Sequence, residues 1–464
     1  MKSFYIFLLL VIVSSCATYY QSNFTFNQEF EHGKLNEAYA TLQKEPAQAR
    51  SKKKLLYFFN CGLVLSMMGK YEESNDYFEK AYLFGEDYRI NYLNEAASYL
   101  TNPTITSYKG EDHEHLLVLY YKALNYLKMH NTDDAMVECR RLNTRLQQLS
   151  DRYRSKEKYE HDAFINLLMG IIYEADKDYN NAFIAYRNAY TIYSDDYSRL
   201  FGISSPLQLK TDILRTAWLS GFTNDFENFK KEFQMEDYVY KPPEGGELVF
   251  FWHNGLAPIK AEWGVDFLIS RQGNWVYFTN VQLGLSFPFQ VDDDKQRSGL
   301  ASLEVVRVAF PKYIERPTYF SESSVKTDNG SYVLQLTEDV NKIAFKCLNE
   351  RMGIEFSKAL LRVALKKVEE REIKKENETL GAIVGFINAA TEKADTRNWQ
   401  TLPHSISYCR VPLPEGQATI HFVAKTPGGR EVDHPITLNI QKGQTLFHTF
   451  TSLESSYAGY NSQY

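Results

Sequence analysis

Residues 241–253 read KPPEGGELVFFWH, and this stretch divides the chain into two differently patterned halves. Pro242 and Pro243, followed by two glycines, interrupt a helical pattern that occupies the preceding residues. Glu247–His253 then begins a series of short β-rich runs, separated by Gly, Pro and Asn turns, which is typical of a sandwich-like β module. The sequence therefore predicts helices up to residue 240 and a different domain over 246–455.

Upstream of this linker, helical hairpins recur with the spacing of tetratricopeptide repeats (TPR). Small residues stand where the two helices of a hairpin would cross, and large apolar residues stand where neighbouring hairpins would meet. The matching windows are residues 55–88 and 163–196, then more weakly 116–149, with partial units at 24–45 and 207–234. Residues 16–240 are thus predicted to form a TPR-like array with a concave groove for a peptide or protein, and the alternative is a generic helical bundle.

Helical periodicity returns between residues 338 and 393, and strand-like runs resume from Ser405 to Ser452. This β–α–β order is most simply one domain, in which the late strands complete a sheet begun before the helices. The fold class expected from the sequence is therefore an all-α TPR-like helical-hairpin array followed by an α+β domain with a β-sandwich-like sheet plus helices.

The first 16 residues, MKSFYIFLLLVIVSSC, have the features of a secretory signal. Lys2 precedes an apolar run of ten residues, which suits a signal peptide and is too short to span a bilayer. Residues 13–16, VSSC, resemble the lipobox of bacterial lipoproteins, which implies removal of residues 1–15 and acylation of Cys16, palmitate included. Ala17 favours the outer membrane in the sorting pattern of many diderm bacteria. The alternatives are an ordinary signal peptide with a chance Cys, or a buried N-terminal strand.

Composition and motifs exclude several function classes. The chain has 52 basic and 58 acidic residues, a formal charge of −6, so no basic excess predicts nucleic-acid binding. GxSxG, HExxH, P-loop and GxGxxG motifs are absent, and we therefore expect no enzyme activity, no cofactor and no catalytic residue. Neither a metal site nor a disulfide framework is predicted, because CxxC spacing is lacking among Cys61, Cys139, Cys347 and Cys409.

Two polar segments interrupt the helical half. Residues 108–115, YKGEDHEH, indicate a polar helix N-terminus, at which acidic side chains such as Glu111 and Glu114 complement the helix dipole. A groove contact and a metal site are the alternatives for this segment. The second is a polar helical stripe, interpreted as a solvated face or as a groove for an acidic peptide, and it comprises Glu138, Arg140, Arg141 and Arg145.

The candidate binding residues of the second half fall in two segments, WHNGLAPIK (252–260) and TEKADTRNWQTLP (391–403). Arg397 has the reach to stack on Trp399 or to bind Asp395, which would pin the loop ahead of the next strand. The first interpretation is a structural clasp, the second a ligand site and the third a catalytic site. The candidate residues are His253, Asp395, Arg397 and Trp399, with His404 as a further member of the ligand site.

Together with the lipobox, the helical repeats and residues 108–111, these two segments resemble an uncharacterised family of bacterial TPR-containing lipoproteins. The resemblance covers nearly the whole chain after Cys16. It implies an architecture and an address in the cell envelope, and it implies no activity.

The expected function is that of a lipid-anchored, non-enzymatic TPR adaptor or scaffold that binds an envelope protein or peptide. The alternative is a lipoprotein whose β-rich C-terminal domain binds peptidoglycan, another glycan or a surface ligand. Tryptophan rings stack on sugars, and this half contains Trp252, Trp263, Trp275 and Trp399. An envelope hydrolase is the third hypothesis.

Overall fold

The computed structural model describes residues 17–91, 106–152, 159, 161–292, 300, 304–376 and 393–454. The lipobox with Cys16 lies outside the described residues, as do the first two residues of the 391–403 segment. Within the described ranges, no helix combines the length and the apolar character needed to cross a membrane.

The first half of the chain is helical. Its α-helices are α1 (Tyr19–Ser22), α2 (Phe24–Glu31), α3 (Leu35–Gln43), α4 (Lys54–Met67), α5 (Tyr71–Asn91), α6 (Asp112–Lys128), α7 (Thr132–Arg152), α8 (Ala163–Ala175), α9 (Tyr179–Ile192), α10 (Ser198–Phe201), α11 (Leu207–Leu219) and α12 (Thr223–Glu232). A 3₁₀ turn covers Pro46–Arg50, and a π-helical turn covers Tyr193–Tyr197.

Small residues let successive helices pair closely. Gly62 of α4 lies against the ring of Phe78 of α5, where a Cβ atom would come within 2.6 Å of the ring. The hydroxyl of Ser74 donates to the Gly62 carbonyl at 2.7 Å, so the crossing is also hydrogen-bonded. Gly170 of α8 lies in the same way against the ring of Tyr186 of α9.

The second half contains twelve described strands and one long helix. They are β1 (Gly246–Asn254), β2 (Ile259–Gln272), β3 (Trp275–Asn280), β4 (Leu285–Gln290), β5 (Val305–Ile314), β6 (Glu322–Thr327), β7 (Gly330–Val333), β8 (Gln335–Asp339), α13 (Val340–Glu376), β9 (Ser405–Leu413), β10 (Gly416–Lys425), β11 (Glu431–Ile440) and β12 (Thr445–Ser452).

These strands form three four-stranded sheets. Sheet 1 has the order β12-β1-β9-β8, sheet 2 the order β11-β10-β6-β7, and sheet 3 the order β4-β3-β2-β5. β12 runs parallel to β1, whereas the other pairings are antiparallel. The order of sheet 1 places β1 and β12, the first and last described strands of the second half, side by side. Hydrogen bonds between these two strands therefore hold the beginning and the end of the second half together.

The central strands of sheet 1, β1 and β9, are buried on both faces. Val249 and Phe251 of β1 point toward the helices and belong to the same hydrophobic core as the helical residues. Phe250 and Trp252 point the other way and pack against sheet 2, where Phe250 stacks on Phe422 at 5.3 Å between ring centroids. Since successive side chains of a strand alternate between faces, burial of both faces explains the nearly unbroken apolar run in β1.

Sheet 3 forms a separate core with α13. Its inward side chains, such as Phe267 and Phe310, pack on Phe356, Leu360 and neighbouring residues of the helix. The rings of Phe310 and Phe356 are 3.8 Å apart between centroids. This core lies apart from the one shared by sheet 1 and the helices.

The expectation of a TPR-like helical array followed by a separate α+β domain is wrong. The molecule is an α+β mixture in which α4, α6, α8 and α11 present side chains to the strands and loops of the second half. The face on which a peptide groove was expected is therefore covered by the chain itself. The sequence pattern misled because crossings such as Gly62–Phe78 specify how two helices meet, and not what covers the hairpin. The domain boundaries, 1–15, 16–240 and 246–455, stay predictions.

Replacing Gly62 by Ala should destabilise the protein by about 1–3 kcal/mol, because the added methyl group overlaps the Phe78 ring. The matched control is Gly353→Ala in α13, where a Cβ atom meets nothing within 4 Å. That change should be neutral or stabilising by up to about 1 kcal/mol, because Ala is the better helix former. Urea denaturation followed by circular dichroism measures both. Equal effects of the two variants would contradict the close crossing.

Candidate functional site

The segments that the sequence singled out meet at the boundary between helices and strands. Residues 393–404, here called the Trp399 loop, connect the chain after α13 to β9. Trp399 is buried, with 1% of its surface exposed, and stacks on Phe59 of α4 at 4.3 Å between centroids. Its ring also lies 6.0 Å from the rings of Phe78 and Tyr121. The indole therefore fills the space between α4, α5 and α6.

Hydrogen bonds tie the Trp399 loop to three helices. The Trp399 backbone N–H donates to Glu114 Oε1 at 2.6 Å. The Thr401 hydroxyl donates to Asn60 Oδ1, and Gln400 Nε2 donates to Asn27 Oδ1, both at 2.9 Å. These partners are buried, so each bond satisfies a polar group that water does not reach.

Arg397 binds Asp395 rather than stacking on Trp399. Its Nε and Nη2 donate to the two carboxylate oxygens at 2.8 and 2.7 Å, which is a bidentate pair. Nη1 donates to the carbonyl of Thr106 at 2.9 Å, and the guanidinium lies over the ring of Tyr108 at 5.4 Å. The pair thus holds the Trp399 loop against the residues that precede α6.

A buried ion cluster lies next to the loop. Lys260 Nζ is 2.5 Å from Glu111 Oε1, and Arg351 Nη2 is 2.5 Å from Oε2 of the same carboxylate. Burial alone would raise the pKa of Glu111, but Arg351 and Lys260 outweigh it and hold that pKa well below its usual range. Burial and the nearby Glu111 raise the pKa of Glu114 to about 7, against the pull of the backbone N–H groups that it accepts.

The polar N-terminus expected for this helix is present, but it is not solvated. Glu111 and Glu114 form a capping box at the start of α6, and both side chains are buried. No group of His, Cys, Asp and Glu side chains suited to hold a metal ion occurs among the residues that the structure describes.

His253 and His404 have separate partners. His253, on β1, is buried between the rings of Tyr120 and Tyr121, and its Nε2 is 2.6 Å from the Tyr120 hydroxyl. Burial lowers the pKa of His253 to about 3, with a contribution from Lys128, so the ring is neutral at pH 7. His404 Nε2 is 3.2 Å from Glu315 Oε1. Each candidate residue of the ligand site therefore has an internal partner.

A second buried ion network joins the far end of the helices to sheet 1. Arg410 of β9 contacts Glu174 of α8 at 2.5 Å and Glu247 of β1 at 2.7 Å. Arg215 of α11 forms a pair with Glu174 and with Asp212, at 2.7 Å each. Burial opposes ionisation of Glu174, yet Arg215 and Arg410 lower its pKa to about 2. The motifs did not reveal this network, because its members, except Asp212 and Arg215, lie more than 30 residues apart in the sequence.

A third cluster contains two acids and no cation. Tyr197 donates to Glu338 Oε2 at 3.0 Å, and Tyr159 donates to Asp162 Oδ2 at 2.5 Å. Within the described ranges, no basic side chain lies at ion-pairing distance from either carboxyl. Burial and Asp162 raise the pKa of Glu338 well above its usual range, and burial raises that of Asp162.

A cleft of about 370 Å³ opens on the described surface between α5, α6 and α7. Lys122 lies at its base between Glu79 and Glu138, and Arg141 also contacts both carboxylates, at 2.7 and 3.0 Å. The two positive and two negative charges of these four side chains cancel. Three exposed acids remain on the lining, without a basic partner at ion-pairing distance among the described residues: Glu72, Asp76 and Asp134.

Two of the three arginines in the polar stripe of α7 have acidic partners inside the protein, and Arg140 is exposed. Arg141 is paired within the cleft, and Arg145 contacts Glu86 at 2.9 Å. The remaining charge of the cleft is negative.

Replacing Lys260 by Met should destabilise the protein by about 3 kcal/mol, because the buried Glu111 loses the buried one of its two cations. The matched control is Lys326→Met, which removes an exposed pair with Glu431 at 3.7 Å and should change the free energy of unfolding by less than about 1 kcal/mol. Chemical denaturation at pH 7 measures the difference. Equivalence of the two variants would show that the buried cluster contributes no more than a surface pair.

Replacing Glu338 by Gln should stabilise the protein increasingly as pH rises. A carboxyl whose pKa is raised on folding contributes most below its unfolded pKa, and this contribution is lost as pH rises through the folded value. The amide cannot ionise and still accepts from Tyr197. We expect the stability difference between variant and wild type to grow from pH 4 to pH 9, measured by urea denaturation. Glu415→Gln, at an exposed position, is the control and should show no such trend. A flat difference for Glu338→Gln would contradict the burial of a cation-free carboxyl.

Comparisons with known proteins give little similarity. No protein-family model matches the sequence, and no curated protein matches it. Among solved structures, BtubC (BKLC) from P. vanneervenii is similar over 47% of this chain and 80% of its own, with 12% identity and a TM-score of 0.31. The MamA RS-1 ArsTM double mutant is similar over 46% of this chain and 88% of its own, with 14% identity and a TM-score of 0.27. TM-scores this low carry no argument about fold or function.

Proposed function

We propose that this chain is a lipid-anchored, non-enzymatic lipoprotein of the cell envelope, at the outer membrane, that binds a protein partner. The anchor is acylated Cys16, and the partner offers a basic segment to the cleft between α5, α6 and α7. The single observation that carries the proposal is the charge of this cleft, whose lining contains five carboxylates against two cations.

The inner face of the helices is not available for this role. Phe251, Trp399 and Tyr408 of the second half pack there against helical residues in one core. A partner peptide would have to displace these side chains and leave buried charges such as Glu111 without their cations, which is energetically prohibitive. The cleft requires no such rearrangement, since Glu72, Asp76 and Asp134 on its lining are exposed.

The chemistry of the cleft favours a cation. Glu72 and Asp76 lie one turn apart on α5, and Asp134 faces them from the first turn of α7. Tyr126 and Met129 add an aromatic and a flexible apolar surface, on which the alkyl part of a Lys or Arg side chain packs well. Complementary charge of this kind sets partner choice and association rate.

The alternative function, glycan binding by the β-rich half, now depends on one tryptophan. Trp252 and Trp399 are buried in the two cores of sheet 1, and Trp263 is half-buried. Trp275 is exposed over 39% of its surface and is the position at which a sugar ring would stack. Pelleting with insoluble peptidoglycan that is lost on Trp275→Ala would favour this alternative.

Photo-crosslinking in cells tests the proposed partner. A p-benzoylphenylalanine replacing Asp76 should give one dominant adduct with an envelope protein, and the same probe replacing exposed Thr419 on β10 is the control. Charge reversal at two other rim positions, Glu72→Lys with Asp134→Lys, should lower the adduct yield at least tenfold by turning attraction into repulsion. Cys16→Ala should release the protein from the membrane fraction. Equal adduct patterns from both probe positions, or a yield that ignores the reversals, would count against the cleft.

A further inference from the structure

One hairpin of sheet 3 lacks charge altogether. Between Arg271 and Asp292 the chain has twenty consecutive residues without Asp, Glu, Lys, Arg or His. With 24% of all residues charged, about five charges would be expected in a stretch of this length. The run contains β3, β4 and the turn between them, and β4 is the edge strand of its sheet. An edge hairpin of a soluble surface normally carries charges that prevent association, so this one is exceptional.

The turn of this hairpin presents aliphatic side chains to solvent. Val281 is exposed over 76% of its surface and Leu283 over 43%. The turn is nonetheless held in place, because Asn280 Oδ1 accepts from the Leu283 N–H and Asn280 Nδ2 donates to the Asp266 carbonyl, both at 2.8 Å. Polar groups thus build the turn from within, while its apolar groups point outward.

A second pair of exposed apolar residues lies on the outer face of sheet 3, in a row that also contains Thr279 and Ser286. Leu268 lies opposite Thr279, at the turn end of β3, and its other neighbour across the sheet is Val305. Leu268 and Val305 are each more than half exposed. Asp266 and Arg307 occupy the next pair on this face and mark the polar rim. A contiguous apolar patch with a polar rim marks an interaction site, whereas scattered exposed residues do not.

We propose that the turn between β3 and β4 inserts into the lipid interface of the membrane that carries the anchor. A lipid surface fits the chemistry, because it supplies apolar contact over a wide area and needs no specific hydrogen bond or charge from the turn. A glycan would require hydrogen-bonding side chains, and the turn exposes one of them, Gln282. An apolar face of a protein is the competing occupant, which vesicle binding distinguishes from lipid.

The start of the chain lies within reach of the same membrane. The Tyr19 N–H donates to Thr396 Oγ1 at 2.9 Å, and α1 packs against β2. Glu262, near the start of β2, accepts a hydrogen bond from the Ala394 N–H at 2.7 Å, so this end of β2 lies next to the Trp399 loop. Leu268 is six residues further along the strand, about 20 Å away. An anchor at Cys16 and the turn would therefore hold the protein at two points, which fixes its orientation. This orientation rests on the proposed acylation, whereas lipid insertion of the turn does not.

A fluorophore at the turn tests the insertion. Val281→Cys, labelled with the polarity-sensitive dye NBD, is prepared in the full chain with Cys16→Ser and in the acylated chain. The label is selective, because Cys61, Cys139, Cys347 and Cys409 are all buried. With vesicles of phosphatidylethanolamine and phosphatidylglycerol, the emission should shift to the blue, and lipids carrying a shallow nitroxide should quench it at least twofold. The matched control, Asp328→Cys at the turn between β6 and β7, should stay in water.

The outcomes separate this inference from the proposed function. Blue-shifted emission in the Cys16→Ser chain supports insertion whether or not Cys16 is acylated. With the label on Leu268→Cys, the double substitution Val281→Asp and Leu283→Asp should lower this emission at least tenfold. An acylated, membrane-bound protein whose label at position 281 stays in water would overturn the inference and leave the anchor intact. A response to insoluble peptidoglycan or to a protein partner, but not to vesicles, would overturn it as well.

Discussion

Because the central strands of sheet 1, β1 and β9, are buried on both faces, their charged and polar side chains need partners inside the protein. Its inner face lies on the helices through Phe251 and Tyr408, and its outer face lies on sheet 2 through Phe250 and Trp252. The side chains of β1 and β9 are almost all buried, so desolvation is the dominant cost for each polar side chain on these two strands. The ion network around Arg410 and the tyrosines between the helices and sheet 1 follow from this constraint.

Tyrosine suits such an interior, because it buries a large ring and places one hydroxyl on a polar partner. Tyr193 donates to the Thr337 carbonyl at 2.6 Å, and Tyr408 donates to Asp212 at 2.8 Å, each from one half of the chain to the other. The 33 tyrosines of the sequence thereby have a structural explanation, at least where helices meet strands. The same logic pairs Glu111 with Lys260 and Glu174 with Arg410, since a buried carboxylate is tolerated when cations surround it.

Local patterns in the sequence predict local structure well, and they fail where the partner is distant. The run expected at 405–411 is β9, and the change from helices to strands after residue 241 is at the predicted place. Arg397 and Asp395 are two residues apart, so their pairing could be foreseen. Lys260 and Glu111 are 149 residues apart, and no periodicity connects them. The covering of the helices by sheet 1 depends on such contacts, which is why the fold class was mispredicted and the candidate ligand residues proved to have internal partners.

The closed inner face also changes where binding is to be sought. In an open array of hairpins, the inner face is free, and its side chains can be chosen for a ligand. Here that face is fixed by the fold, because a substitution suited to a partner would disturb Trp399, Tyr120 or the ions beneath them. Among the described residues, the outer positions of α5 and α7 and the exposed turns of sheet 3 are free of this restriction. These are the regions where the structure carries unbalanced charge, in the cleft, and uncharged apolar surface, at the turn between β3 and β4. Because the second half covers the helices, the described surface offers two chemically distinct outer regions, one with an excess of carboxylates and the other without charge.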